Sequence, residues 1–179
     1  MNIIEIFTKS LVLIFSLDRD LWEIILLSLY VSITALIFAS IFGLLIGYYL
    51  AIKNFFLKNF ILIILNSLMG IPPVVVGLIV YFMFASGGPL GILQLLYTPT
   101  AMIIAQVIII FPIVTSLSHE IFDQNWREYK DQLRSINMTF FGILFIISKH
   151  SYFLVITALL SAFGRAISEV GAVMIVGGN

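Results

Sequence analysis

Residues 59–119 read NFILIILNSLMGIPPVVVGLIVYFMFASGGPLGILQLLYTPTAMIIAQVIIIFPIVTSLSH, and these 61 residues include no aspartate, glutamate, lysine or arginine. A helix that crosses a bilayer needs about 20 predominantly apolar residues, so the stretch has room for two such helices. The SGGP sequence at 86–89 combines flexible residues with a helix breaker. The stretch therefore predicts two membrane spans, near 59–84 and 99–118, joined by a short connection.

The rest of the chain has the same character. Of its 179 residues, 61% are apolar and 10% are charged, and the mean hydropathy is +1.17. A second uncharged run of 29 residues at 24–52 predicts a span near 22–51. An apolar stretch near 151–175, interrupted by Arg165 and Glu169, predicts a further span. Soluble domains carry roughly 25% charged residues, so this composition predicts an all-α polytopic membrane protein with about four spans.

Several classes of function are excluded by what the sequence lacks. Nine acidic and nine basic residues balance, so no net charge attracts nucleic acid. The chain has no cysteine, and His119 and His150 lie far apart with no metal-ligand spacing. No glycine-rich phosphate-binding loop is present. We therefore predict no catalytic, cofactor-binding or metal site on this chain.

The first 21 residues form a separate segment before the first span. Ile3, Phe7, Leu11 and Ile14 recur at helical spacing. This pattern favours an amphipathic helix in the headgroup region, and the alternative is a frayed leader. We take 1–21 as an interfacial segment and 22–179 as the transmembrane domain.

Basic residues in the connections between spans predict the orientation of the chain. The 53–58 and 119–150 connections hold six of them, whereas Lys9 and Arg19 belong to the N-terminal side. Cytoplasmic loops carry the excess of lysine and arginine, so the N-terminus is predicted to lie outside. The six are Lys53, Lys58, Arg127, Lys130, Arg134 and Lys149.

The 119–150 connection is long, charged and helical in pattern. Its apolar residues recur every three or four positions on one face, and its charged residues do so on another. Asn137 can adopt a left-handed conformation and end the helix. The pattern fits either docking to a soluble partner or a helix lying on the inner leaflet. The apolar set is Trp126, Tyr129, Leu133 and Ile136, and the charged set is Glu128, Asp131 and Arg134.

Pro72 and Pro73 interrupt the second predicted span. Each removes a backbone donor, and such a break is tolerated where protein or a water-filled cavity satisfies the freed carbonyls. The prolines therefore indicate that this span packs against other helices or lines a path. The alternative is a structural kink with no role in transport.

Arg165 and Glu169 are four residues apart in the last predicted span, so they share a helix face and can pair. Charges inside a membrane usually face a bundle interior or a cavity. Arg165 could meet an anionic solute, with Ser168 and Glu169 holding it in place. Alternatively, the pair fixes helix register without contacting solute.

Five features occur together in a fixed order: IPPVVVG at 71–77, SGGPLG at 86–91, TPTAMIIAQVIIIFPIV at 98–114, the charged loop, and SAFGRAISEVGAVMIVGGN at 161–179. In this combination the chain resembles the permease subunits of bacterial ABC importers for oxyanions. Within the molybdate, tungstate and sulfate group, the similarity is greatest to tungstate permeases. The resemblance implies a type I importer bundle in a lipid membrane and a second copy of the chain. It also implies a cytoplasmic ATPase that binds ATP and magnesium, and an external solute-binding protein.

The resemblance also assigns roles to residues. The family's loop motif, Glu-Ala-Ala followed by Gly, falls on Asp131-Gln132-Leu133 and Asn137, with only the acid conservatively kept. It implies a coupling helix at about 124–141 that docks on the ATPase through Glu128, Asp131, Gln132, Leu133, Arg134 and Asn137. It further implies that Pro72, Pro73, Arg165, Ser168 and Glu169 line or brace the translocation path.

Alternatives remain at the level of the sequence. The family's core has a fifth helix after the last motif, and this sequence stops at Asn179. A truncated, inactive fragment is therefore one hypothesis. A permease for molybdate, sulfate or another anion is a second. An ion-coupled carrier or channel is a third, with Arg165 and Glu169 as its ionisable groups.

Overall fold

The computed structural model describes residues 19–177, and these residues form helices with no strand among them. The all-α prediction is confirmed for this part of the chain. The predicted interfacial segment falls almost entirely on residues 1–18, outside the described part, so its boundary with the membrane domain stays a prediction. The helices are α1 (Arg19–Ile52), α2 (Lys58–Met69), α3 (Pro73–Phe84), α4 (Pro99–Ser135), α5 (Phe140–His150), α6 (Tyr152–Ser168) and α7 (Val170–Gly177), with a 3-10 turn at Gly91–Leu93.

Length and apolar composition allow α1 and α4 each to cross a membrane. The other candidates are bent pairs: α2 and α3 meet at 100°, and α5 and α6 meet at 78°. Counting each bent pair as one span gives four, the number that the sequence predicts. A bend of 100° makes 59–84 a broken span or a re-entrant segment, rather than a span with a simple kink.

Helix α4 is the centre of the bundle and contacts α1, α2, α3, α5, α6 and α7. Its 37 residues extend about 55 Å at 1.5 Å per residue, well beyond a hydrocarbon core of about 30 Å. The prediction of a separate coupling helix at 124–141 is therefore wrong in its bounds. Nothing between Ser118 and Ser135 breaks the helix, so the charged residues lie on the α4 extension (residues 119–135), and α5 begins after a turn.

Close packing between α1 and α4 relies on small side chains. Ala35, Ala39, Ala101 and Ala105 are fully buried in the main apolar cluster. A β-carbon on Gly43 would lie 2.9 Å from Val114, so glycine is needed there for the helices to approach. Small residues let membrane helices pack through van der Waals contact.

A second apolar cluster joins the α4 extension to α1 and α5. Trp126, Leu133 and Ile147 are buried in it, and the Tyr48 hydroxyl donates to the Phe140 carbonyl at 2.6 Å. This hydrogen bond connects the end of α1 to the start of α5. The α4 extension is therefore held against the bundle.

Asn137 ends the α4 extension as its sequence predicts. It adopts φ 48°, and its N–H donates to the Arg134 carbonyl at 3.0 Å. The Met138 N–H donates to the Leu133 carbonyl at 3.2 Å. These two bonds and the left-handed residue form a Schellman motif, which satisfies the last carbonyls of the helix.

The prolines lie at a helix boundary and not within a helix. Pro72 precedes α3 and Pro73 is its first residue. The N–H of a first helical residue has no acceptor within the helix, so proline costs no hydrogen bond there. The end of α2 is satisfied locally, because the N–H of Gly70 donates to Ser67 at 3.1 Å and that of Ile71 to Leu68 at 3.2 Å.

Candidate functional site

The helix that carries Arg165 ends at Ser168, and Glu169 follows as its C-cap. This residue has φ −87° and ψ 83°, which separates α6 from α7. The Arg165 Nη2 atom lies 3.0 Å from Glu169 Oε1, so the predicted ion pair is formed. The Glu169 side chain is 12% exposed and that of Arg165 is 41% exposed. The Ser168 hydroxyl donates to the Arg165 carbonyl at 2.9 Å and so stabilises the last turn of α6.

Gln106 stabilises the same helix end from α4. It is 2% exposed, and its Nε2 donates to the Ala166 carbonyl at 2.8 Å. Carbonyls in the last turn of a helix have no full set of intrahelical partners, and water cannot serve them in hydrocarbon. No local sequence motif marks Gln106 as a site residue. The available signal was that Gln106 is the one polar side chain in residues 101–111.

The ion pair borders two separate cavities. Arg165 lines a cavity of about 130 Å³ together with Met69 and Ile71. Glu169 lines another of about 470 Å³ together with Gln106. Among the described residues, Gln106 Oε1 has no hydrogen-bond partner. The cation and the carboxylate therefore face different spaces, and an anion would be attracted to the side of Arg165.

The structure brings Arg165 close to the α2–α3 break, as the sequence hypothesis requires. Ile71, which directly precedes Pro72, lines the Arg165 cavity. Neither proline lines this cavity. Pro72 is exposed and Pro73 is half-buried. Ser168 is exposed and lines neither cavity. The prolines therefore lie at the break beside the cavity and do not line it.

The predicted docking residues divide into two groups. Leu133 is 6% exposed and packs in the second cluster, so it anchors the helix and offers no docking surface. Ile136, predicted on the apolar face, is 62% exposed. The remaining predicted docking residues are exposed at the end of the α4 extension: Glu128, Asp131, Gln132, Arg134 and Asn137.

No three or more acidic, histidine or cysteine side chains within residues 19–177 lie together as a metal site would require. A helical bundle with broken elements and an ion pair between cavities is typical of membrane transport proteins, whose solute paths lie at such breaks. Comparison with known families agrees with this class. Residues 42–179 match the family described as the inner membrane component of binding-protein-dependent transport systems. The chain belongs to that family and is a multi-pass transport permease.

Individual relatives are similar over most of the chain. The tungstate uptake system permease protein TupB of Peptoclostridium acidaminophilum is 39% identical over 99% of this chain and 78% of its own length. A probable anion ABC transporter permease protein of Haloferax volcanii is 38% identical, over 85% of this chain and 66% of its own length. The tungstate uptake system permease protein TupB of Campylobacter jejuni is 32% identical, over 97% of this chain and 72% of its own length.

Proposed function

We propose that this chain is the permease subunit of an ATP-driven tungstate importer in the cell membrane. Two relatives named for tungstate uptake are 39% and 32% identical to it over nearly all of its length. The relative named only for an anion supports the wider class. Molybdate and sulfate share the tetrahedral dianion chemistry of tungstate, and they are the alternative solutes.

The observation that carries the proposal is the position of Arg165. Its side chain is 41% exposed and lines the cavity beside the α2–α3 break, so part of the guanidinium remains free to meet an anion. Its pairing with Glu169 reduces the local positive charge. A transport site must bind the ion strongly enough to admit it and weakly enough to release it.

The partners follow from the same proposal. Two copies of the chain form the path, and an external solute-binding protein delivers the anion. Two ATPase subunits bind ATP and magnesium and hydrolyse the nucleotide, so this chain performs no covalent chemistry. In this arrangement the N-terminus lies outside and the α4 extension lies in the cytoplasm.

Helix α4 provides a direct mechanical link between the docking residues and the ion pair. It is continuous from Pro99 to Ser135, with Gln106 near one end and Arg134 near the other. Gln106 holds the Ala166 carbonyl, three residues before Glu169. A displacement of the α4 extension by the ATPase would therefore reach the α6–α7 break through one rigid element.

Transport is tested in vesicles that contain this chain, its ATPase and its solute-binding protein. We expect ATP-dependent uptake of labelled tungstate, with molybdate and sulfate added in excess to measure selectivity. Absence of tungstate uptake, together with ATP-dependent uptake of labelled molybdate or sulfate in the same vesicles, would assign another solute. Uptake that continues without ATP would contradict the importer mechanism and support an ion-coupled carrier.

Docking is tested by charge reversal on the α4 extension. The variants Glu128→Lys, Asp131→Lys and Arg134→Glu change exposed side chains, so we expect normal membrane insertion but reduced co-purification of the ATPase. Lys149→Glu on α5 is the control, because it reverses an exposed charge outside the docking group. Undiminished co-purification in all three variants would contradict the assignment of this surface.

A further inference from the structure

A polar cavity of about 540 Å³ lies between α2 and the α4 extension. Residues 116, 119, 123 and 127 recur at three- and four-residue intervals, so they lie on one face of α4. All but one of the lining residues are polar, and two of them, Asn66 on α2 and Ser116 on α4, belong to otherwise apolar stretches. They are Leu62, Asn66, Ser116, His119, Glu120, Asp123, Gln124 and Arg127.

Two cations converge on one carboxylate at the rim of this cavity. Lys58 Nζ lies 3.6 Å from Asp123 Oδ1, and Arg127 Nε lies 2.8 Å from Asp123 Oδ2. Each carboxylate oxygen is thus engaged by one cation, and these three side chains keep one positive charge, which the Glu120 carboxylate on the exposed side of the cavity balances. The Arg127 side chain is 77% exposed, so its terminal N–H groups remain able to reach an anion in the cavity.

Neutral donors line the cavity deeper along α4. The Ser116 hydroxyl donates to Asn66 Oδ1, which orients the amide and leaves its NH₂ group to donate elsewhere. His119 Nε2 is buried, and within the described part of the chain it has no hydrogen-bond partner. A buried imidazole nitrogen without a partner is destabilising unless something occupies the space beside it.

This cavity continues the cleft that contains Arg165. On α2, Asn66 lies one turn from Met69, and on α4, Ser116 lies one turn from Ile113. Met69 and Ile113 line the Arg165 cavity, whereas Asn66 and Ser116 line the polar one. The two cavities therefore follow the same seam between α2 and α4.

We propose that the polar cavity is a low-affinity binding site for a free tetrahedral oxyanion that leaves the Arg165 cleft. This inference rests on the proposed function and names residues beyond it. Arg127, Asn66 and His119 supply cationic and neutral donors, which match the acceptor oxygens of such an anion, and Lys58 offsets the charge of Asp123. Glu120 lies on the exposed side of the cavity and opposes the anion, so affinity stays low enough for release.

The experiment measures binding of labelled tungstate, molybdate, sulfate and phosphate to the purified full-length chain assembled with its ATPase. Glu120→Gln removes the opposing charge, and we expect it to tighten oxyanion binding by roughly three- to fivefold. Asn66→Leu removes a donor, and we expect binding about tenfold weaker. Glu23→Gln makes the same acid-to-amide change on α1, away from the cavity, and should leave affinity unchanged.

Opposite responses of the two variants support the site, because a merely structural role would not predict tighter binding in Glu120→Gln. Unchanged binding in both variants, with tungstate uptake intact, overturns the site and leaves the proposed function standing. Variant-sensitive binding of sulfate or phosphate without tungstate uptake supports the site and rejects tungstate as the solute. A lipid phosphate retained in the purified protein and not displaced by any free oxyanion also overturns the proposal.

Discussion

The α2–α3 break and the α6–α7 break are built in different ways. The first begins at adjacent prolines, and its helix end is satisfied by backbone groups within a few residues. The second has neither proline nor glycine among residues 168–170, and its Ala166 carbonyl accepts a local bond from the Glu169 N–H at 3.4 Å and a shorter one, at 2.8 Å, from Gln106, 60 residues away. The first break is therefore satisfied locally, whereas the second adds a tertiary contact to a long local bond.

The two breaks are also packed against each other. A β-carbon added to Gly77 of α3 would lie 2.9 Å from the Ala172 Cα atom of α7. One added to Gly171 would lie 3.1 Å from the Val74 side chain. The contact between these short helices therefore links the proline-based break to the break that holds the ion pair. Disrupting the contact between α3 and α7 should therefore destabilise both breaks more than any other substitution considered below.

Gly77→Leu is expected to destabilise the protein most. The new side chain would overlap the backbone of α7, and overpacking of this kind costs about 3 kcal/mol. Thermal unfolding of the purified chain should show a large loss of stability. Gly164→Ala is the matched control, because a β-carbon there meets nothing within 4 Å. Equal stability of the two variants would show that α3 and α7 are not in close contact.

The two glycines near Arg165 have different surroundings. Both Gly164 and Gly171 are small enough to permit close approach of another helix. Gly171 contacts Val74, whereas Gly164 faces open space within this chain. The sequence identifies small residues but cannot show which of them face a neighbouring helix.

Gln106→Leu isolates the α6–α7 break. The substitution keeps the side-chain volume but leaves the buried Ala166 carbonyl with only the longer bond from the Glu169 N–H, at 3.4 Å, which should reduce stability by about 1 kcal/mol. Ser118→Ala is the control, since it removes another buried hydrogen bond from α4, to the Gly43 carbonyl at 3.2 Å, without touching the break. The rate at which iodoacetamide labels a cysteine substituted for Met174 reports how accessible α7, the helix after the break, is.

The native chain has no cysteine, so such a label reports one position. We expect faster labelling at Met174 in Gln106→Leu than in Ser118→Ala, because only the first variant loosens α7. Equal labelling rates would mean that Gln106 stabilises the bundle generally and has no specific role at the break.

Proline alone does not predict where a helix breaks in this protein. Pro112 lies inside α4, and the helix continues through it. Pro72 and Pro73 do begin a new helix, while Glu169 separates two helices with no proline nearby. The number of apolar segments was predictable because bilayer thickness sets their length. The bends were not, because they depend on which neighbouring groups satisfy the freed carbonyls.

In the candidate site, too, contacts between residues close in sequence were predictable and contacts between distant residues were not. The Arg165–Glu169 pair followed from a spacing of four residues on a helix, and the structure forms it. Gln106 and Ala166 are far apart in sequence, as are Asn66 and Ser116, so neither contact has a local pattern. Leu133 was assigned to docking by motif position, but the packing of α4 against α1 and α5 buries it.

Arg165→Gln and Glu169→Gln distinguish solute contact from bracing. The pair is partly exposed, so a double-mutant cycle should give a coupling of only about 0.5 kcal/mol in stability. If Arg165 contacts the anion, Arg165→Gln should raise the KM for uptake much more than Glu169→Gln does. Equal changes in both variants, restored in the double variant, would assign the pair to bracing alone.

Pro73→Ala should change stability little. It tests whether the α2–α3 break is imposed by proline or, like the α6–α7 break, maintained by tertiary packing. Pro73 is the first residue of α3, where alanine is also accepted, so the loss should be about 0.5 kcal/mol from the freer unfolded chain. The 100° bend should persist, because α3 is held against α7 through Gly77 and Gly171. Spin labels on cysteines at Phe60 and Phe82, both exposed, measure the distance across the break. An unchanged distance would show that the proline break, although visible in the sequence, is maintained by packing. A longer distance would mean that α2 and α3 straighten once the proline is removed, and that the prolines themselves impose the bend.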